Sequence, residues 1–250
     1  MKTKKIIATV IASLLTVATL AGCGSTSKEI KFGTNAEFPP FEFIAANGTI
    51  GEYDGIDIAI AKKIGEDIGQ TAVIENMEFD SLLVALQNGQ IDAVIAGMTV
   101  TDERAESVDF SIPYYQATQV IITKEGSGIS SAADLADKFT AVVQGYTGET
   151  CIINLGYKYE SFKKGTECIM ELVNGKCDAV VIDSATADKY VADNEGLVIV
   201  EDSEAFGNEE YAIAVQKGNT ELLNKINKSI EKMLADGTIA DLGDKYCEAE

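Results

Sequence analysis

Arg104 is the side chain in this sequence best suited to hold an anion. It closes the segment Thr99-Val100-Thr101-Asp102-Glu103-Arg104, just past an apolar run and a glycine, in a chain where arginine is scarce. A planar guanidinium makes bidentate bonds to a carboxylate. On spacing alone it would equally serve as a surface partner of Asp102 or Glu103. A second anion-binding candidate is Gly145-Tyr146-Thr147-Gly148-Glu149-Thr150, which follows the apolar run Ala141-Val142-Val143. A glycine turn that opens a helix presents unbonded N–H groups. This one lacks the Lys-[Ser/Thr] ending of a phosphate loop, so a single carboxylate suits it better than a triphosphate. An ordinary strand-to-helix turn would read the same way.

The opposite pole is offered by Asp183, at the end of Asp178-Ala179-Val180-Val181-Ile182. A carboxylate there can hold an ammonium group, or cap the helix that starts at Ser184. Asn35-Ala36-Glu37-Phe38-Pro39-Pro40-Phe41-Glu42-Phe43 supplies a loop stiffened by two prolines. Phe38 and Phe79 can wall a ligand, and aromatic faces attract cations. Core packing is the commoner role of Phe, and Glu37 and Glu42 can equally be solvated acids.

These groups need elements to hold them. Ile30 to Thr34 reads as a strand, and Asp57 to Ile68 carries apolar residues at 60, 61, 64 and 68, a helical stripe. Thr71 to Met77 is a strand candidate. Asp80 is placed to cap a short helix through Leu86, which Asn88-Gly89 stops. Asp92 to Ala96 and Gln119 to Thr123 read as buried strands, and Glu209 to Val215 as one extended run. Glu221 to Tyr246 reads as helix broken at Gly237. Strand–helix alternation argues for parallel sheets covered by helices. One stretch recurs: Leu86-Gln87-Asn88-Gly89-Gln90-Ile91-Asp92-Ala93-Val94 is similar to Leu172-Val173-Asn174-Gly175-Lys176-Cys177-Asp178-Ala179-Val180. A single short match can arise by chance. Read as kinship, it predicts two lobes built alike, with Gly97-Met98-Thr99 and Asp183-Ser184 at equivalent strand tips. Ligands of open α/β sheets bind outside the carboxyl ends of strands, so two facing tips predict an interlobe cleft.

Composition removes several alternatives. The chain has 20 basic and 40 acidic residues, no His and a formal charge of −20. The acidic balance opposes nonspecific nucleic-acid binding. Lack of His removes His-based triads and zincin motifs, and no cysteine spacing resembles a metal knuckle; no metal or cofactor is expected. Cys151, Cys168, Cys177 and Cys247 form an even set. Disulfides and buried thiols both fit.

The N-terminus reads as a secretory signal: Lys2, Lys4 and Lys5 precede the apolar run Ile6 to Leu20. Leu20-Ala21-Gly22-Cys23 resembles a bacterial lipobox. That resemblance implies a signal peptide over 1–22, lipidation of Cys23, a flexible tether over 23–28, and a protein anchored to the outer face of the cell membrane.

Together these segments resemble the bacterial extracellular solute-binding proteins of family 3, the amino-acid receptors of ABC importers. The strongest match is Ala96-Gly97-Met98-Thr99-Val100-Thr101-Asp102-Glu103-Arg104, followed by Asp109-Phe110-Ser111-Ile112-Pro113-Tyr114-Tyr115. Supporting segments are Gly33-Thr34-Asn35 with Phe38-Pro39-Pro40-Phe41-Glu42, Phe79-Asp80, Val143-Gln144-Gly145-Tyr146-Thr147-Gly148, and Asp178 to Asp183. The resemblance implies an α/β, two-lobed periplasmic-binding-protein-like fold, each lobe a mostly parallel sheet flanked by helices. Lobe 1 would comprise 29–113 and 212–250, lobe 2 would comprise 119–206, and the hinge crossings 114–118 and 207–211. It implies that Arg104 clamps an α-carboxylate with the N–H groups of Thr99 and Thr147. Asp183, the Thr99 hydroxyl and the Gly97 carbonyl would hold the α-ammonium, and Phe38 and Phe79 would sandwich the side chain. Met98 and Gln144, inside the matching segments, complete the candidate set with Asn35 and Glu37.

Position 35 is often Asp in relatives that bind basic or amide side chains; here it is Asn. Val143 and Ile182 are apolar where some relatives are polar. Glu37 is the nearest acid for a distal cation, which leans the ligand toward arginine or lysine. Glutamine or cystine is the alternative. The implied partners are a free L-amino acid and a membrane permease, and the protein is expected to be monomeric. An enzyme on the same scaffold, a dehydratase or wall-cleaving lyase, would have Glu37 as its only obvious acid–base group. A sensor would need further membrane and cytoplasmic portions, whereas this sequence closes on a short acidic tail.

Overall fold

The structure is a computed structural model that describes residues 29–45 and 51–247. The expected signal peptide, Cys23 and tether lie outside these residues. Two five-stranded sheets form the frame. The first runs, in spatial order, Thr71–Asn76, Glu29–Thr34, Ala93–Val94, Ala214–Gln216 and Val108–Phe110. Its first three strands are parallel, and Ala214–Gln216 is antiparallel to both neighbours. The second runs Lys158–Phe162, Phe139–Val143, Ala179–Asp183, Gln119–Lys124 and Leu197–Glu201. It too begins with three parallel strands, followed by one antiparallel to both neighbours. The chain passes between the sheets through Tyr115–Ala117 and Glu209–Tyr211, which pair antiparallel. The two sheets make this a two-lobed α/β fold.

Sequence patterning explains the elements that flank the sheets. Helix Ile56–Ile68 buries Ile56, Ile60, Ala61 and Ile64 and ends where Gly69 turns left-handed, with φ +73°. Helix Thr220–Ala235 buries Ile226, Ile230 and Met233 at helical spacing, and Asn219 caps it by accepting from the Leu222 N–H. Helix Thr238–Cys247 follows the break at Gly237. Apolar packing runs from the first sheet through Phe38, Tyr146 and Tyr211 into the second.

The internal echo is structural. Helices Leu82–Gln87 and Gly165–Val173 end on Asn88 and Asn174, and Gly89 and Gly175 follow with φ +68° and +71°. The Asp92 carboxylate then accepts the Lys31 N–H at 2.8 Å, and the Asp178 carboxylate accepts the Phe139 N–H at 2.9 Å. Each aspartate returns its own N–H to the carbonyl of the same neighbour. The short motif therefore docks a strand on its parallel partner in both sheets.

Two expectations need correction, and the open question of the cysteines is answered. Asp80 does not cap the helix after it. Phe79–Ser81 is a 3-10 turn running directly into that helix, and the Asp80 carboxylate instead meets Lys163 Nζ at 2.8 Å. Glu209 to Val215 is not one strand, since Glu209–Tyr211 and Ala214–Gln216 belong to different sheets with Ala212 and Ile213 between them. Cys151, Cys168, Cys177 and Cys247 are all free thiols; burial pushes Cys168 and Cys177 up, the latter to about 11.

Candidate ligand-binding site

The strand Ala93–Val94 runs out into Ala96-Gly97-Met98-Thr99 at the boundary between the halves. Gly97 has φ +51°. A Cβ there would lie 2.4 Å from the Phe38 ring, so the close packing of that ring on the strand tip requires glycine. The tip is held from below: the Gly97 N–H donates to Asp57 Oδ2 at 2.7 Å, and the Tyr114 hydroxyl donates to the same oxygen at 2.9 Å. Asp57 and neighbouring Glu42 are fully buried. Burial raises Asp57 to about 6. Burial, then Asp57 itself, pushes Glu42 well above the carboxylate range.

Arg104, the chain's single arginine, stands on the short helix Asp102–Ser107. Thr101 caps that helix by accepting the Arg104 N–H at 3.2 Å, which fixes the root of the side chain. The guanidinium donates to the Thr99 carbonyl at 2.7 Å and, across the cleft, to the Gly145 carbonyl at 2.9 Å. It also lies 5.3 Å from the Phe79 ring centre. Neither Asp102 nor Glu103 is bonded to it, and among the described residues no carboxylate lies within ion-pair distance of it. Burial lowers its pKa, and Glu209 and then Asp183 act in the opposite sense.

Asp183 faces the same space from the second sheet. Its carboxylate makes no capping bond to the helix Ser184–Asp193. It accepts the Tyr211 hydroxyl at 2.6 Å and is only 3% exposed. Burial, then Glu209, raises its pKa to about 7. Next to it, the helix Thr147–Leu155 begins at Tyr146 and leaves its first N–H groups without intrahelical acceptors. Gly148 permits this helix start to press on the strand, because a Cβ would sit 2.6 Å from the Val181 carbonyl oxygen.

These groups converge on one narrow cavity, lined by Phe38, Phe79, Ala96, Gly97, Thr99, Arg104, Tyr146, Thr147 and Asp183. A cation and a buried acid thus oppose each other in one small space. A wider groove by Asp67, Lys225, Lys228 and Lys232 lies elsewhere and is open; its Lys232 is already paired with Asp67.

The remaining candidates do not line the cavity. Asn35 is buried beside it, donating to the Met77 carbonyl and accepting the Tyr146 hydroxyl at 3.1 Å. Glu37 forms an ion pair with Lys164 at 2.7 Å. Met98 is buried and its carbonyl accepts the Ala212 N–H. Gln144 is exposed, because its backbone pairs along the sheet with the Phe162 carbonyl. Two residues escaped the sequence reading. Glu209 Oε2 gathers Thr99 Oγ1 at 2.7 Å, Thr147 Oγ1 at 2.9 Å and Gln119 Nε2 at 3.2 Å, so it ties both halves to the crossing strand. Tyr146 packs edge-on to Phe38 and Phe79 with ring centres 5.3 and 4.6 Å apart. Tyr146 lay inside the segment Gly145 to Thr150 and Glu209 opened an extended run, but neither was singled out there as a site residue.

A family model described as bacterial extracellular solute-binding proteins, family 3, matches residues 30–249. The chain is 32% identical over 262 residues to the arginine-binding extracellular protein ArtP of Bacillus subtilis, covering 99% of each chain. It is similar in structure to the arginine-, lysine-, histidine-binding protein ArtJ of Geobacillus stearothermophilus, with a TM-score of 0.82 and 34% identity over 88% of this chain and 95% of that one. An ancestral arginine-binding protein bound to glutamine matches with a TM-score of 0.81 and 43% identity, covering 87% of this chain and 97% of that one.

Proposed function

We propose that this chain, which belongs to the bacterial extracellular solute-binding proteins, family 3, captures one free L-amino acid in the cavity between its halves and delivers it to the membrane permease of an ABC importer. The observation that carries the reading is that Arg104 and Asp183 line one narrow space. A zwitterion fits it pole to pole. The ligand's carboxylate takes the guanidinium and the N–H groups at Thr99 and Thr147. Its ammonium meets Asp183, the Thr99 hydroxyl and the Gly97 carbonyl, with Glu209 adding charge behind the two threonines. Phe38 and Phe79 provide apolar walls. Because the site is shared between the halves, a ligand that touches both favours the closed form.

The names of the relatives, arginine-binding above all, support a basic side chain; the glutamine-bound relative keeps a neutral amide as the alternative. The reading is of a receptor without catalysis. The relatives bear the names of binding proteins, and Glu37, the acid–base candidate of the sequence, is ion-paired with Lys164 rather than lining the cavity. Lipidation at Cys23 is part of the proposal and rests on the lipobox-like Leu20-Ala21-Gly22-Cys23.

Arg104→Ala tests the site. Removing one partner of a desolvated charge pair costs about 2–5 kcal/mol, or ~30- to several-thousand-fold in affinity. Calorimetric titration with arginine and glutamine should show that loss in a variant whose circular dichroism is unchanged. Near-normal affinity would overturn the carboxylate assignment.

A further inference from the structure

Glu37 is the acid that the sequence offers to a ligand's distal cation, yet it already holds one. Lys164, which immediately precedes the helix Gly165–Val173 in the second half, places Nζ 2.7 Å from Glu37 Oε1. The Tyr190 hydroxyl, from the same half, donates to the Glu37 carbonyl at 3.3 Å. Glu37 directly precedes Phe38, which lines the cavity. Tyr146, also in the lining, lies against both Phe38 and Phe79 and reaches with its hydroxyl to Asn35, two residues before Glu37. An ammonium on a methylene stem thus already satisfies the acid that a long basic side chain would claim.

We propose that Lys164 is an internal competitor for the ligand's distal cation at Glu37, and so sets the balance between basic and neutral ligands. The inference rests on the reading that an L-amino acid occupies the cavity. The two side chains are 42% and 21% exposed, and a half-exposed ion pair is weak. A ligand guanidinium, with its planar fork, can displace the lysine from a carboxylate. A neutral amide gains little from Glu37 and leaves the lysine in place. Lys164 therefore weakens binding of basic amino acids selectively.

The neighbouring pair supplies the control. Lys163 bridges to Asp80 at 2.8 Å across the same cleft, with exposures of 47% and 28%, and does not touch Glu37. A residue that merely latched the cleft shut would change all affinities together. The experiment is calorimetric titration of the wild-type protein, Lys164→Met and Lys163→Met with arginine and with glutamine. Lys164→Met should raise the arginine-to-glutamine affinity ratio by about three- to fivefold, the scale of one exposed pair, while Lys163→Met leaves that ratio unchanged. An unchanged or lowered ratio in Lys164→Met, or an equal rise in Lys163→Met, overturns the competitor role and leaves the receptor reading standing. A wild-type protein that binds neither amino acid removes both.

Discussion

Asp183 takes up a proton more readily than a free carboxylate, because burial and the charge of Glu209 both disfavour its ionised form. Its folded pKa of about 7 lies above the ordinary value of 3.8. Between those limits the folded, ligand-free protein binds more protons than the unfolded chain, so this group's contribution to stability falls as pH rises through that window. Asp57, raised to about 6, acts in the same direction. An ammonium group bound at Asp183 takes the proton's place. Amino-acid affinity should then weaken by up to about tenfold for each pH unit below 7. Titrations at pH 5, 6 and 8 check this, and Asp183→Asn should bind poorly at every pH with a flattened profile. A flat profile in the wild type would rule the linkage out. That Arg104, Thr99 and Asp183 come together was legible in the sequence because Asp183 ends a buried strand and the segment carrying Thr99 and Arg104 follows another. The placing of Glu37 and Tyr146 was not, because rotamer and tertiary contact decide whether such residues face a ligand or each other.

At the scale of elements, the recurrent Asn-Gly turn with its following aspartate was the most readable feature, since it encodes a helix stop and a strand start locally. Its energetic content lies in the bonds from Asp92 and Asp178 to the N–H groups of Lys31 and Phe139. Each aspartate is exposed, so Asp92→Ala and Asp178→Ala should each cost about 1 kcal/mol, or ~2–4 °C in Tm for a domain of this size. Thermal scans check this, and a change below half a degree in both would show that the bonds add nothing. Strand lengths were less readable: the buried run Asp92 to Ala96 contributes only Ala93–Val94 to its sheet, because the residues beyond leave the ladder to build the cavity floor. Glu209 was hidden inside an apparently uniform extended run. Pattern alone does not reveal that such a run changes sheets midway.

For the whole molecule, closure rests on a handful of polar bridges. They include Arg104 to Gly145, Tyr146 to Asn35, Tyr190 to the Glu37 carbonyl, Lys189 to the Cys247 carbonyl, Lys163 to Asp80 and Lys164 to Glu37, with Glu209 at the crossing strand. None is extensive, which suits halves that must part to admit a ligand. Among the described residues no helix is long and apolar enough to cross a membrane, and the proposed lipid on Cys23 carries a prediction of its own. Cys23→Ser should shift the protein from the membrane fraction to the medium with its amino-acid affinity intact. Continued membrane retention would argue against the lipid anchor.

The order of strands in the two sheets also bears on how the polypeptide matures. All five strands of the second sheet come from 119–201, whereas the first sheet needs Ala214–Gln216 inserted between Ala93–Val94 and Val108–Phe110. A nascent chain therefore presents one half with every strand in hand while the other, though begun earlier, still has a gap beside its edge strand. That gap fills only by a pairing across more than a hundred residues, the slow kind of closure.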